Sequence, residues 1–542
     1  MLAVRAGQVA WPAGHAPAGG EASAAVVAGT AEIRSGDTVM VFKLVAVVKA
    51  PVRRDKKVQA AGSPCDHARL GVLEAQLDEL CGPGVIEEAV AGVRLCGQGK
   101  KPRFRLLAPG FVMRALLLMT VMAGTPAAEA MGILAGDLAG VPWAKKWHAP
   151  SRKAFRAWCK AIGQERAEWL RDRLLQAVCG QHAAAGWHLE APAGGLRPWA
   201  GDGTLLRVPD TAANRAAFGG DGPYPLIRAE VLSSAVTRAV MAVAAGPGGT
   251  GTDGAARAAA EQALLDGALR DCGWAFSMDQ ILLLDRNCPG AKRILELTRR
   301  THVLIRVKSD IPLTRISEFF ADKSYLARIS GDGVTVTVRV IEYDVEVDGQ
   351  DVPETFCLIT DLLDPQAYPA EDLAELYKWR WDGSETMLRE GKSCITGSGP
   401  GTGPMLRSGT PALAWQELAA LITAAELVRA LARDAAGRAV PARRGKRAGQ
   451  PVAPRQISFT AARRAAIASI RSGAATASLP PAIRAAAARD ITAAVSRCRI
   501  DTGRGRHRER KSKSAYGFPA APRDITTRTA AAVITVCGTA AA

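Results

Sequence analysis

The sequence predicts a mixed α/β sheet with an antiparallel β insertion, preceded by a helical N-terminal domain and followed by a basic helical tail. Three observations carry that prediction. From Trp199 the apolar period changes from helical to strand-like. Strands then alternate with helices, the pattern of one mixed sheet with helices packed on it. Residues 311–367 return to strand alternation alone before a helix resumes near residue 371.

At 542 residues the chain is too long for one core and fits two to four domains. A hydrophobic content of 48% supplies well-buried interiors and excludes a chain disordered throughout. The net charge of +18 is unevenly placed: residues 441–513 hold 18 lysines and arginines against 3 acids. That end is therefore a polyanion-binding candidate, with nucleic acid the first expectation and a solvated charged tail the alternative. Eleven cysteines without a CxxC pair or a signal peptide point to reduced thiols in a cytoplasm, and they give no zinc-site spacing. The apolar run at 115–124 is too short to span a bilayer, and the run at 38–48 is broken by Lys43. No membrane segment is expected.

Residues 1–65, rich in Ala, Gly and Val without a sustained period, read as a low-complexity extension. Residues 66–190 show helical periodicity in LGVLEAQLDEL, FVMRALLLMTVMAG, RKAFRAWCKAI and AEWLRDRLLQAV. Lys145, Lys146, Arg152, Lys153 and Arg156 on short helices fit a helix-turn-helix-like DNA reader, and an ordinary bundle fits equally. The core is expected over 195–310 and 368–437. Strands are predicted at 202–210, 226–234 and 236–246, a helix at 255–271, the apolar strand QILLLDRN, a helix at 291–300 and the strand HVLIRVKS. Within the β insertion, 311–367, GVTVTVRVIEYDVEVDG and FCLITDLL read as strands. A long amphipathic helix is predicted over 412–437, then the linker PARRGKRAGQPVAPR, a short helix at 459–471 and the very basic RGRHRERKSK, all but the first in the basic region 438–542.

The chemistry concentrates in YKWRWDGSETMLREGK, residues 377–392. Glu385, Arg389 and Lys392 share a helix face, so a carboxylate sits among cations. Salt-bridge decoration of a solvated face is the bland reading of that pattern. Two further acids change the balance: Asp202 opens one core strand and Asp285 closes another. A sheet can bring such positions together, and carboxylate oxygens suit Mg²⁺. Two ions would serve in-line phosphodiester displacement. Taken singly, Asp202 also fits a turn beside Gly203 and Asp285 a strand-end cap beside Arg286.

The order DGT, PDTAANRAAFG, ILLLDRN and then Y-x2-R with E-x6-K resembles the DDE transposases of the insertion-element-four family, over roughly residues 66–435. The resemblance implies a ribonuclease H-like fold with Asp202, Asp285 and Glu385 as catalytic, metal-binding triad, served by two Mg²⁺ ions or by Mn²⁺. It also implies that Tyr377, Arg380, Arg389 and Lys392 hold the phosphates of transposon ends. One departure stands out: the family places three residues between that Arg and Glu, and here there are four, Trp381 to Ser384. An uninterrupted α-helix would put Ser384, not Glu385, on the face of Arg380. A bulge or a break at Gly383, with a restarted helix capped by Asp382 or Ser384, must absorb the extra residue. The intact Glu-to-Lys spacing keeps Glu385 as the third acid, with Asp382 the alternative.

The expectation is a cut-and-paste DNA transposase acting as a homodimer on terminal inverted repeats and target DNA, in a bacterial cytoplasm and on the nucleoid when DNA-bound. The alternatives are a catalytically inactive, transposase-derived DNA-binding protein and, disfavoured by the flanking cations, a glycoside hydrolase with paired carboxylates.

Overall fold

The computed structural model describes residues 25–35, 38–48, 70–93, 108–136, 151–184, 193–220, 222–248, 254–308, 311–346, 354–393, 405–441, 449–472, 481–500, 505–506, 529–530 and 533–536. The chain divides into two compact units, Met1–Gly62 and Ser63–Ala542. In the first, β1 (Ala25–Ser35) and β2 (Thr38–Val48) form an antiparallel hairpin with Ser35 opposite Thr38. The reading of this stretch as free of any period misses that hairpin; its β-branched residues are what favour strands.

The second unit opens with helices α1 (Val72–Cys81), α2 (Val85–Ala89), α3 (Pro109–Val121), α4 (Ala127–Gly136) and α5 (Arg152–Ala184). The two helical runs predicted between 152 and 178 both lie in α5 and are separated at Gly163, whose φ of 75° and ψ of 168° are not helical and suit glycine. Arg114, inside the apolar run of α3, is fully buried and bonds to Glu74 on α1 and Glu87 on α2. Lys145 and Lys146 lie outside the described residues.

Next come β3 (Arg197–Arg207), α6 (Ala212–Phe218), β4 (Leu226–Ser234), β5 (Val240–Pro247), α7 (Gly254–Asp271), β6 (Gln280–Leu284), α8 (Ala291–Leu297) and β7 (His302–Val307). β8 (Thr314–Arg315), β9 (Tyr325–Gly331), β10 (Val334–Glu346) and β11 (Glu354–Thr360) form the predicted insertion. One ten-stranded sheet results, in the order β5-β4-β3-β6-β7-β11-β10-β9-β8, with the C-terminal β14 (Val533–Val536) added to β10. β3, β6 and β7 run parallel, β4 and β5 antiparallel to their neighbours. The insertion is not a separate sheet: β11 pairs with β7 and carries the ladder straight on.

Residue parity sorts the two sheet faces. Trp199, Leu282 and Leu284 pack with Leu265 and Ala268 of α7 and Ile294 of α8. Ala200, Ile281 and Leu283 pack with Leu373, Leu376 and Tyr377 of α9 (Ala370–Arg380) on the other side. Asp322, from the insertion, accepts a bond from the Ala370 N–H at the start of α9 and pairs with the fully buried Arg339. The insertion thus fixes the helix that leads into the site.

α11 (Pro411–Gly437) reads as amphipathic but is buried on nearly every side, from Ala414 to Ala436. It packs against α3 and α5 and also against α12 (Phe459–Arg471) and α13 (Pro481–Ser496). Phe459, Ala462, Ala466 and Ile470 of α12 enter the same core as the N-terminal helices, so this apolar face is covered within the chain. Two short strands, β12 (Gly505–Arg506) and β13 (Thr529–Ala530), pair beyond it. Among the described residues no helix is long and apolar enough to cross a membrane.

Candidate active site

Asp202 and Asp285 meet because their strands are parallel neighbours in register. The last pair is Ala200 with Leu283, so two residues further along each strand the two acids stand side by side. Even parity on β3 and odd parity on β6 send both to the α9 face. Each keeps a backbone bond: Asp202 Oδ1 accepts from the Gly203 N–H at 3.0 Å, and Asp285 Oδ1 from the Arg286 N–H at 2.6 Å.

Arg380, at the end of α9, reaches both. Its Nη1 lies 3.9 Å from Asp202 Oδ1 and its Nη2 3.9 Å from Asp285 Oδ1. The residue is only 6% exposed, and its Nε and Nη1 have no hydrogen-bond partner. Burial works against the charge of Arg380, but Tyr377, Asp285 and Asp202 outweigh it and hold the guanidinium protonated. Burial raises the Asp202 carboxyl above its ordinary range; Arg380 and the Gly203 N–H oppose the rise, while Asp285 and Glu385 add to it. All three acids therefore act on one electrostatic site.

Tyr377 is fully buried, and its hydroxyl donates to the Leu284 carbonyl at 3.0 Å, one residue before Asp285. Its ring stands edge-on to Trp381, which in turn faces Phe356. Burial raises the Tyr377 hydroxyl well above the ordinary tyrosine range, so it stays a donor. Tyr377 and Arg380 thus lie beneath the acids, not on the outer surface.

The extra residue before Glu385 is absorbed by a bulge. Trp381–Glu385 form one turn of π-helix between α9 and α10 (Thr386–Ser393), with the Thr386 N–H bonded to the Trp381 carbonyl. That wider turn takes up the added residue, so the helix after it keeps the phase of one a residue shorter. No helix restarts: Ser384 is buried and its hydroxyl donates to the Arg380 carbonyl at 2.7 Å. Gly383 is required by contact, since a Cβ there would lie 2.6 Å from the Ala235 Cα. The side chain of Asp382 lies outside the described residues.

Glu385 is 56% exposed at its side chain and 3.4 Å from Arg389, itself 70% exposed. Lys392 is half-buried near the end of α10. Lys392 lines the small cavity beneath α10 with Met387 and Ile422. Sequence reasoning missed Glu230 on β4, which lies opposite Gly203 on the other sheet face, buried against that backbone. Burial, then Glu261, pushes its carboxyl up to about 8, with Arg228 opposing. An acid inside the apolar run LIRAEVLSS is the signal that could have found it.

No family model matches the chain, and no curated protein matches it. Among solved structures it is similar to the piggyBac transposase in a synaptic complex with hairpin DNA, determined by cryo-electron microscopy. The two share 13% identity with a TM-score of 0.42, over 79% of this chain and 86% of that one. At that score the likeness carries no functional inference.

Proposed function

We propose that the chain is a DDE transposase on a ribonuclease H-like sheet, which cuts transposon ends and joins the freed 3′-hydroxyls to target DNA as a dimer on paired ends. The observation that supports this is the placement of Arg380 between Asp202 and Asp285, with Glu385 one wide turn further along the same helical segment. The order β5-β4-β3-β6-β7, parallel from β3 to β7, agrees with the fold the resemblance implies.

Asp202, Asp285 and Glu385 fit Mg²⁺ or Mn²⁺ in donor chemistry. All are hard oxygen donors, each aspartate keeps an oxygen free of backbone bonds, and a desolvated carboxyl beside two others gains from a cation. Bound there as a pair, the ions would supply water activation and offset charge on the departing oxygen. The rest of the work belongs to the chain. Arg380 holds the two aspartates together against their mutual repulsion, and Tyr377 fixes the backbone that aims Asp285. Arg389 and Lys392 would take backbone phosphates. Cleavage breaks a P–O bond with water as the incoming group and frees a 3′-hydroxyl, which then attacks a second phosphodiester in the target.

Incubation of the purified protein with Mg²⁺ and duplexes carrying the repeats that flank its gene tests this reading. Strand-specific nicking at the element boundary is expected; retained end binding without nicking supports the inactive DNA-binding protein instead. One observation favours that second reading: among the described residues no three acid, His or Cys side chains form a ready metal-holding group.

A further inference from the structure

The helix after Glu385 is held in part by Met387, buried against Leu175, Val231 and Val240. Met387, Leu388 and Gly391 of α10 roof a cavity of about 60 Å³ whose floor is Val231 and Val240 of the sheet and Ile422 of α11. The lining is almost wholly apolar, so water would find few partners there.

Ion pairs hold the helix as well. Arg429 of α11 donates from Nη2 to the Met387 carbonyl at 2.8 Å, and its Nε lies 3.6 Å from Glu390 Oε2. The other oxygen of Glu390 accepts from Arg238 Nη1 at 2.8 Å. Arg429 also lies 3.7 Å from Glu426, which accepts the Val240 N–H at 2.9 Å and pairs with Arg433 at 2.6 Å. Arg238 sits in the β4–β5 turn with a left-handed φ of 59°, a conformation that side chains other than glycine rarely adopt. The same turn receives Gly383 at Ala235. The turn therefore touches both ends of the segment, with Glu385 between.

We propose that Arg238, Glu390 and Arg429 are positioning residues, a buried clamp across the cavity that sets where α10 presents Glu385 to Asp202 and Asp285. The inference rests on the assignment of Glu385 to the active site. Glu390 faces inward while Glu385, five residues earlier, faces outward, so the clamp acts on the acid through the helix. Groups that orient metal-ligating carboxylates tune ion affinity and activity.

Two readouts on the full-length chain test the clamp, using Glu390→Gln, which preserves shape, and Arg429→Met. The first is hydrogen exchange of the 386–393 amides without DNA or metal, expected to rise in both variants while α3 stays protected. The second is the Mg²⁺ concentration giving half-maximal end nicking, expected to rise about tenfold with end binding unchanged. Arg238→Met combined with Glu390→Gln should add little beyond Glu390→Gln alone, which already breaks the contact with Arg238. Unchanged exchange in α10 overturns the clamp, and so does raised exchange with an unmoved Mg²⁺ midpoint. If wild type does not nick at all, the transposase reading fails, and the exchange measurement alone then decides whether the clamp holds the helix.

Discussion

The Tyr377 hydroxyl donates to the carbonyl of Leu284, and through that one bond a helix side chain holds the strand end from which Asp285 projects. Tyr377→Phe keeps the ring against Trp381 but leaves the carbonyl without its partner. A loss of about 1 to 3 kcal/mol in denaturant unfolding is expected, the cost of a buried polar group left unsatisfied. Nicking should slow, and end binding, measured by titration, should stay at the wild-type level.

Asp202→Asn, Asp285→Asn and Glu385→Gln should each abolish nicking and leave end binding nearly intact, since they remove acidic oxygens and no phosphate contact. Gel assays of nicking and binding on the same preparation check this. Wild-type nicking by Glu385→Gln would mean that the third acid lies elsewhere.

Glu230 makes stability depend on pH. Its folded-state carboxyl titrates near 8, above the ordinary 4.5, so the folded chain keeps a proton that the unfolded chain has released. The contribution is complete below about 4.5 and is lost as pH rises through about 8. Unfolding free energy should fall by about 1.4 kcal/mol per pH unit within that window, and Glu230→Gln should remove that slope. Denaturation series at pH 5, 6 and 7 measure it.

Replacing Arg504, Arg506, Arg508, Arg510, Lys511 and Lys513 by Gln should weaken binding to any DNA without changing preference for element ends. The log-log salt slope would fall by about 5 if all six cations meet phosphates. Truncation at Val440 is a different experiment. It also removes α12, whose Phe459 and Ile470 fill the core beside α11, so such a chain should lose stability before it loses charge.

Much of this arrangement was legible because strands and buried strand ends leave a periodic trace. The β4 boundaries follow from an apolar run alone, but β3 begins at Arg197, so Asp202 lies inside the strand it was expected to open, and the parallel pairing of β3 with β6 is written in neither run. The count between Arg380 and Glu385 showed that something must give, but not what. A π turn and a broken helix demand the same residues, and only the bond from the Thr386 N–H to the Trp381 carbonyl decides between them. The depth of Tyr377 and Arg380 was not legible either. Helical spacing states which residues share a face, and it is silent on whether that face meets solvent or the sheet. The apolar stripe of α12 named no partner, and its cover by the N-terminal helices is a contact across more than 300 residues of chain.

An added residue in an α-helix swings everything downstream by about 100°, so one insertion ordinarily destroys the aim of each later side chain. The wide turn at Trp381–Glu385 confines that rotation to five residues. Arg389 and Lys392 therefore point where a helix one residue shorter would point them. Deleting Ser384 gives the shorter form, and a chain so altered should close the turn while Glu385 keeps its neighbours.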